Sequence, residues 1–261
     1  MKFVMKDAKL WKTCVSAVSS LIEDAAFVVS PPGLRLRAMD PSHVALVDLE
    51  LPPQAFEEFS VEKQTTIGIH IPEMVKVVSR AKSGEGLTIE LDESANRLNL
   101  TFAGPPVRRL SMPIIDAQDA NYPEPKLIFT AAMEVPAGLI QDGIKDAELI
   151  GDSVEFEAVK EGLRMRAESD KGASELVLDV GSDALTNFTA NPPARARYAI
   201  SYLNSILSNS PPGLIGVKLG ADLPVSITYS IPGGKLMFLL APRVGEYEPP
   251  RASESGTTET A

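Results

Sequence analysis

One cysteine, Cys14, is the chain's whole stock of thiols, so no intrachain disulfide and no cysteine-rich metal site can form. A lone thiol fits a reducing compartment. Histidine is almost as scarce, His43 and His70 being the only two. There is no metal-ligand spacing and no glycine-rich phosphate loop on which hydrolytic or phosphoryl chemistry could be built. Asp40, Ser42 and His43 stand together, but catalytic triads are assembled from distant segments, so three neighbours carry no catalytic reading. The expectation is a protein that is not an enzyme and uses neither metal nor cofactor. Absent too is any apolar run near the roughly 20 residues that span a bilayer. Residues 1–7 lack the apolar stretch and cleavage site of a signal peptide. A cytoplasmic location and no membrane partner are expected.

Positive charge is in deficit, with 25 Lys and Arg against 35 Asp and Glu, a net charge of −10. Taken as a sum, this argues against a nucleic-acid partner. Distribution matters more, because a ring or groove can be basic on one face and acidic elsewhere. With 44% hydrophobic and 23% charged residues, the chain has the composition of an ordinary globular protein with a substantial core.

What the sequence does contain is a repeat. Gly33-Leu34-Arg35-Leu36-Arg37-Ala38 returns as Gly162-Leu163-Arg164-Met165-Arg166-Ala167, about half the chain later. A repeat at that distance suggests two copies of one domain. The order of elements agrees. The spacing predicts helices over 7–23, with Asp7 as N-cap, over 72–83, with Pro72 in the first turn, over 136–147 and over 196–208. Strands are predicted over 3–5, 26–30, 33–39, 44–51, 87–91, 97–102 and 107–112. In the second copy they fall over 129–135, 154–159, 162–167, 174–180, 213–219, 225–231 and 235–240. Two one-sided helices per copy would cover one face of a mostly antiparallel sheet, an α+β architecture. Between the copies, 113–128 is a proline-rich stiff connector. The expected division is a first domain over 1–112, a linker over 113–128, a second domain over 129–245 and a disordered acidic tail over 246–261.

Three separated motifs carry a family likeness: Leu36-Arg37-Ala38-Met39-Asp40-Pro41-Ser42-His43-Val44-Ala45-Leu46, the turn Asp222-Leu223-Pro224, and the ending Leu239-Leu240-Ala241-Pro242-Arg243-Val244. In this order they resemble a DNA sliding clamp of the proliferating cell nuclear antigen family, archaeal type, over essentially 1–245. The resemblance implies a DNA clamp fold: a ring-shaped trimer whose helices line a central channel and whose sheets lie outside. It implies a processivity factor that encircles double-stranded DNA and tethers enzymes of replication and repair. Those partners are a replicative DNA polymerase, the clamp loader, a flap endonuclease and a DNA ligase. They dock through a short peptide with a glutamine and bulky apolar and aromatic anchors, in a pocket beneath the linker. Location would be cytoplasmic, at the nucleoid.

Carried over to this sequence, the pocket takes Met39, His43, Val44 and Leu46 from the first motif. Tyr122 and Pro123 come from the linker, Pro224 from the turn, and Leu239, Ala241 and Pro242 from the ending. Tyr122 stands where the family often has an aliphatic residue. An exposed apolar concavity that accepts a few aromatic anchors is the physical logic of such a pocket. The channel takes Lys9, Lys12, Lys76, Arg80 and Lys82 from the first domain and Lys145, Arg195 and Arg197 from the second, the last two at the start of the fourth helix. Loose phosphate contacts of this kind would be salt-sensitive and permit sliding.

Subunit contacts in the family pair edge strands, here Val107, Arg108, Arg109 and Leu110 against Glu175, Leu176, Val177 and Leu178, with Arg108 and Arg109 facing Glu175 or Asp179. Homotrimer and heterotrimer both remain open. Beside these readings stand plainer ones: helix-face Lys and Arg as solvated surface, Met39, Val44 and Leu46 as core, and Cys14 as a buried inert thiol. The alternatives at the level of function are a specialised heteromeric or checkpoint-type clamp and a β-rich scaffold that does not bind DNA.

Overall fold

Alternating apolar and polar residues build strands, and each half of the chain lays them down in the same order. A computed structural model describes residues 1–117, 122–123 and 125–243. The expected tail and linker positions 118–121 and 124 lie outside the described residues. The first half runs β1 (Lys2–Met5), α1 (Lys9–Val18), β2 (Asp24–Ser30), β3 (Gly33–Met39), β4 (Ala45–Leu51), β5 (Glu58–Ser60), β6 (Thr65–His70), α2 (Ile71–Val78), β7 (Gly86–Asp92), β8 (Arg97–Ala103) and β9 (Arg108–Pro113). The second runs β10 (Ala131–Pro136), α3 (Ala137–Ile150), β11 (Ser153–Val159), β12 (Gly162–Ser169), β13 (Gly172–Asp179), β14 (Thr186–Ala190), β15 (Arg195–Ala199), α4 (Ile200–Ser208), β16 (Leu214–Leu219), β17 (Val225–Ile231) and β18 (Gly234–Leu240). The two orders match element for element, as duplication requires.

The strands form antiparallel sheets in the orders β5-β1-β7-β8-β9, β14-β10-β16-β17-β18-β4-β3-β2-β6 and β13-β12-β11-β15. The nine-stranded sheet is continuous across the halves, because β18 pairs with β4 from Lys235 opposite Glu50 to Leu240 opposite Ala45. The helices lie on the apolar side. Trp11, Cys14, Val15 and Val18 of α1 and Met74 and Val78 of α2 are buried, and the Trp11 indole donates to the Met74 sulfur at 3.4 Å. In the second half, Ile140 and Ile144 of α3 and Leu203, Ile206 and Leu207 of α4 are buried. A Cβ on Gly143 would stand 2.8 Å from Leu176 Cδ2, so the glycine lets α3 sit close to the four-stranded sheet without moving that side chain. Burial pushes the Cys14 thiol up to about 12, in keeping with an inert core residue.

All four expected helices are corrected: α2 stops at Val78 rather than 83, and α3 runs on to Ile150. α1 stops at Val18 rather than running to 23, where the Ser19 and Ser20 hydroxyls turn back to the carbonyls of Ser16 and Ala17. More consequentially, 195–199 is strand β15, and α4 begins only at Ile200. Ala196 and Tyr198 alternate inward, Tyr198 packing edge-on to Phe156 with its hydroxyl on the Leu223 carbonyl at 2.8 Å. Tertiary packing with a two-residue period outweighs the helical spacing.

Candidate functional site

The outer face of the nine-stranded sheet, opposite the helices, is written in rows across β3, β4 and β18. Register places Arg35 beside Glu50 and Glu50 beside Lys235, then Arg37, Asp48 and Met237, then Met39, Leu46 and Leu239. The face therefore grades from charged at one end to apolar at the other. Leu46 and Leu239 keep 7% of their surface exposed, while Met39 is half-buried. The Ala241 amide donates to the Val44 carbonyl at 2.9 Å, which carries the C-terminal strand on past Leu239 and sets half-buried Val44, Ala241 and Pro242 at the same end. Pro224, half-buried, precedes Val225, which pairs with Leu240. Eight of the ten pocket residues expected from sequence thus gather at the apolar end or directly beside it, if Tyr122 is counted. The exceptions, His43 and Pro123, are exposed next to Val44 and Tyr122.

The linker reaches this face through two fixed points. Ile115 bridges the edge of β6, its amide donating to the Gly68 carbonyl at 3.0 Å. A Cβ on Gly68 would lie 2.2 Å from the Ile115 carbonyl oxygen, so only glycine admits the linker there. Farther along, Arg37 Nη1 donates to the Tyr122 carbonyl at 3.3 Å. The same guanidinium holds Asp48 through Nε at 3.0 Å and through Nη2. Arg37 and Asp48 side chains are each 7% exposed, a buried pair beneath the linker. The charged end borders a cavity of about 540 Å³ among the turns at Gly33 and Gly233.

One wall of the apolar end is the loop from Asp40 to Val44. The Asp40 carboxylate accepts the amides of Val44 at 2.7 Å, Ala45 at 2.6 Å and Ser42 at 3.0 Å, and the Tyr202 hydroxyl at 2.7 Å. Burial alone would raise its pKa, but the Ala45 amide, the Tyr202 hydroxyl and the amides of Val44 and Ser42 outweigh it and hold the group below the usual carboxylate range. Sequence reasoning passes over Asp40, Arg37, Asp48 and Tyr202. The available signal is an Asx-type turn, in which an aspartate before proline gathers the next amides; nothing in the sequence announces its partner on α4.

The helix layer exposes Lys9 and Lys12 on α1, Lys76 on α2 with Arg80 and Lys82 just beyond it, and Lys145 on α3. Lys76 pairs with Glu73 at 2.7 Å and Lys145 with Asp142 at 3.0 Å, each a three-residue step on one helix. Arg195 and Arg197 do not join them. On β15 they point away from buried Ala196 and Tyr198, to the sheet face opposite the helices, where register sets Arg197 beside Glu155 and Arg195 beside Glu157. Arg195 binds Glu155 at 2.8 Å, with Arg197 at 4.0 Å from the same carboxylate. Their expected place at the head of α4 is overturned by the strand.

β9 and β13 each end a sheet, with no further strand beyond them among the described residues. Each edge carries one exposed valine among polar residues: Val107, just before β9, is 53% exposed and Val177 of β13 45%. Leu149, missed from sequence, is 76% exposed on α3, the helix that packs under β13. Within the chain, Arg108 and Glu175 already have partners of their own. Arg108 turns inward over the Phe102 ring, 4.9 Å from its centroid, and binds Glu85, while Glu175 is held by Arg166 at 2.5 Å. Leu110 and Leu176 are half-buried and Leu178 is buried, whereas Arg109 is exposed.

Among the described residues no group of three or more His, Cys, Asp or Glu side chains is placed to hold a metal, and no helix is long and apolar enough to cross a membrane. Comparison with known proteins gives a consistent answer. Residues 1–118 match the family model "Proliferating cell nuclear antigen, N-terminal domain" and residues 124–244 its C-terminal counterpart. A DNA polymerase sliding clamp of Thermofilum pendens is 37% identical over 247 residues, 94% of this chain and 99% of that one. DNA polymerase sliding clamp 1 of Pyrobaculum aerophilum is 34% identical, over 91% of this chain and 96% of its own. Among solved structures, the antigen from Thermococcus kodakaraensis superposes with a TM-score of 0.88 at 29% identity, covering 93% of this chain and 99% of that one. A structure described as the C-terminal region of FEN-1 bound to the A. fulgidus antigen gives 0.82 at 24% identity, over 94% and 99%, and speaks for the fold.

Proposed function

We infer how the residues described above do their work from the premise that the chain belongs to the proliferating cell nuclear antigen family of DNA polymerase sliding clamps, which are processivity factors and not enzymes. Copies of the chain close head to tail into a three-membered ring, the β9 edge of one against the β13 edge of the next. The observation that carries this is the chain's own domain junction. β9 holds the place in the first half that β18 holds in the second, and β13 the place of β4. Inside the chain β18 and β4 pair and complete a nine-stranded sheet. A five-stranded and a four-stranded sheet with free edges are what remains, and pairing them repeats the same sheet between subunits. Closure also removes two strand edges that a monomer would leave open.

The internal junction supplies the register. Leu110 lies opposite Leu100 as Phe238 lies opposite Ile227, and Leu178 lies opposite Leu163 as Leu51 lies opposite Leu34. Transferring the pairing of Phe238 with Val47 and of Lys235 with Glu50 sets Leu110 against Ser174, Arg109 against Glu175 and Val107 against Val177. The two exposed valines then cover each other, and Glu175 gains a second arginine.

The helix layer faces double-stranded DNA, with Lys9, Lys12, Arg80 and Lys82 supplying most of the positive potential. Lys76 and Lys145 contribute less because each already has a carboxylate partner. The apolar end of the outer face, from Met39 to Leu239 and beneath Tyr122, receives the anchors of partner peptides. A flap endonuclease is supported as one such partner by the FEN-1 segment bound in the structural neighbour. The replicative polymerase, the clamp loader and DNA ligase are the others, and the protein acts at the nucleoid.

Polymerase extension on primed circular DNA is the test. Stimulation that requires ATP and the clamp loader supports the clamp reading, and no stimulation overturns it. Light scattering on the chain alone separates the ring types: about three times the 28.0 kDa chain mass means three identical copies, and a monomer means a ring that needs different siblings.

A further inference from the structure

Asp40 closes β3 and is 4% exposed, yet three of its four hydrogen-bond donors come from its own loop, the amides of Ser42, Val44 and Ala45. The fourth comes from 162 residues away, the hydroxyl of Tyr202 on α4. The carboxylate draws the amides inward while His43, between them, is exposed at a φ of 55°, in the left-handed region that few non-glycine residues occupy. The same loop shape aims the Val44 carbonyl at the Ala241 amide beside Leu239. The wall of the groove is therefore as well placed as the Asp40 carboxylate, and among the described residues the one side chain that fixes that carboxylate is Tyr202.

Tyr202 stands on the other layer of the molecule. It belongs to the helix whose Ser201 and Ser205 share a cavity of about 350 Å³ with Ser20 and Leu21 at the end of α1. We propose that Tyr202 is a positioning residue for partner binding: its hydroxyl, from the second domain, orients Asp40 and so sets the loop wall formed by the first, making the groove competent only while the domains are seated on each other. This rests on the reading of the apolar end as the peptide groove. The phenol never touches the peptide; it acts through a charge-assisted hydrogen bond, a strong kind of interaction, because acceptor and orientation are both fixed.

The test uses the full chain and a fluorescent peptide carrying a glutamine, an aliphatic residue and two phenylalanines. Tyr202→Phe removes one oxygen and keeps the packed ring. It is expected to weaken the peptide about tenfold and to lower the thermal midpoint by only about 2–4 °C, while the light-scattering mass stays at the wild-type value. Hydrogen exchange at the Val44 and Ala45 amides, both donors to Asp40, is expected to quicken in the variant. A merely structural role would lower the melting midpoint and leave affinity at permissive temperature alone. Unchanged affinity in Tyr202→Phe, or unchanged exchange at both amides, overturns the proposal. A wild-type chain that does not bind the peptide overturns the groove reading itself, and this inference with it, a result distinct from equal binding by the two proteins.

Discussion

Arg37 and Asp48 face each other across β3 and β4, and Arg166 and Glu175 face each other at the same place in the second copy, across β12 and β13. Duplication has kept the pair and changed its surroundings. The first lies beneath the linker, where Arg37 also holds the Tyr122 carbonyl; the second lies on the strand that ends a sheet. Along the same rows the copies part company, Met39 and Leu46 of the first corresponding to Glu168 and Ala173 of the second. One seam is thereby equipped to receive apolar anchors and the other is not.

Removing Arg37 should do two separable things. Asp48 is buried, and Arg37→Ala leaves its charge faced by half-exposed Arg35 at 3.6 Å, beyond hydrogen-bond reach. The loss should cost about 3–5 kcal/mol of unfolding free energy, read by urea titration. Replacing both residues by apolar ones of similar volume, Arg37→Met with Asp48→Leu, should recover most of that stability. The linker's anchor stays absent in the double variant, so peptide affinity should remain low. Recovery of both together would show that the pair does not hold the linker.

The transferred register makes a sharp demand on the subunit seam. Val107→Cys with Val177→Cys should cross-link between subunits under mild oxidation, giving species of two and three chain masses on a denaturing gel. Val107→Cys with Asp179→Cys, two residues out of register, should not. Cys14 does not compete, being buried with its thiol pushed up to about 12. Arg109→Glu should dissociate the ring at micromolar concentration, and adding Glu175→Arg should restore its light-scattering mass; an equal yield from both cysteine pairs would refute the register.

On the DNA side, Lys9→Ala with Lys12→Ala should lower the slope of log affinity against log salt for a linear duplex, by about 0.9 for each phosphate that is no longer neutralised. Lys145→Ala should change it less, because Asp142 already neutralises that lysine in part. Arg195→Ala and Arg197→Ala should leave it unchanged, since both lie on the face opposite the helices. Fluorescence anisotropy over a salt series measures all three. A large effect of the two arginines would put them back in the channel.

Local pattern makes the strands and the duplication legible in the sequence, because Gly33–Ala38 and Gly162–Ala167 repeat a two-residue alternation that only a half-buried sheet explains. The 195–199 segment reads as helix for a physical reason: Ala, Arg and Tyr tolerate both states, and only the packing of Tyr198 on Phe156 decides between them. Arg108 defeats sequence reading in a similar way. On an edge strand an arginine is expected outside, yet this one finds Glu85, in the turn before β7, and the Phe102 ring of the neighbouring β8. The apolar groove residues are readable through family resemblance alone. The carboxylates and arginines that hold their backbone in place come from distant strands and helices, and no local spacing connects Asp40 to Tyr202.

Acid should open the groove, and the sign follows from Asp40. Its folded pKa lies below the ordinary value near 3.8, so its stabilising effect is fully present above that ordinary value and is lost as pH falls through the depressed one. Tyr202, the one titratable side chain hydrogen-bonded to it among the described residues, is shifted the other way. A hydrogen bond with Ser42 lowers the phenol, but the Asp40 hydrogen bond, burial and the carboxylate's charge together raise it, so it stays a donor through the whole neutral range. The acid limb of peptide affinity that belongs to Asp40 should therefore lie below about pH 4. Asp40→Asn keeps an acceptor but no ionisable group. It should start weaker at neutral pH, since a neutral amide holds the three backbone donors less firmly, and should lose the acid limb. An affinity profile for Asp40→Asn that falls in acid as the wild type does would locate the titrating group elsewhere.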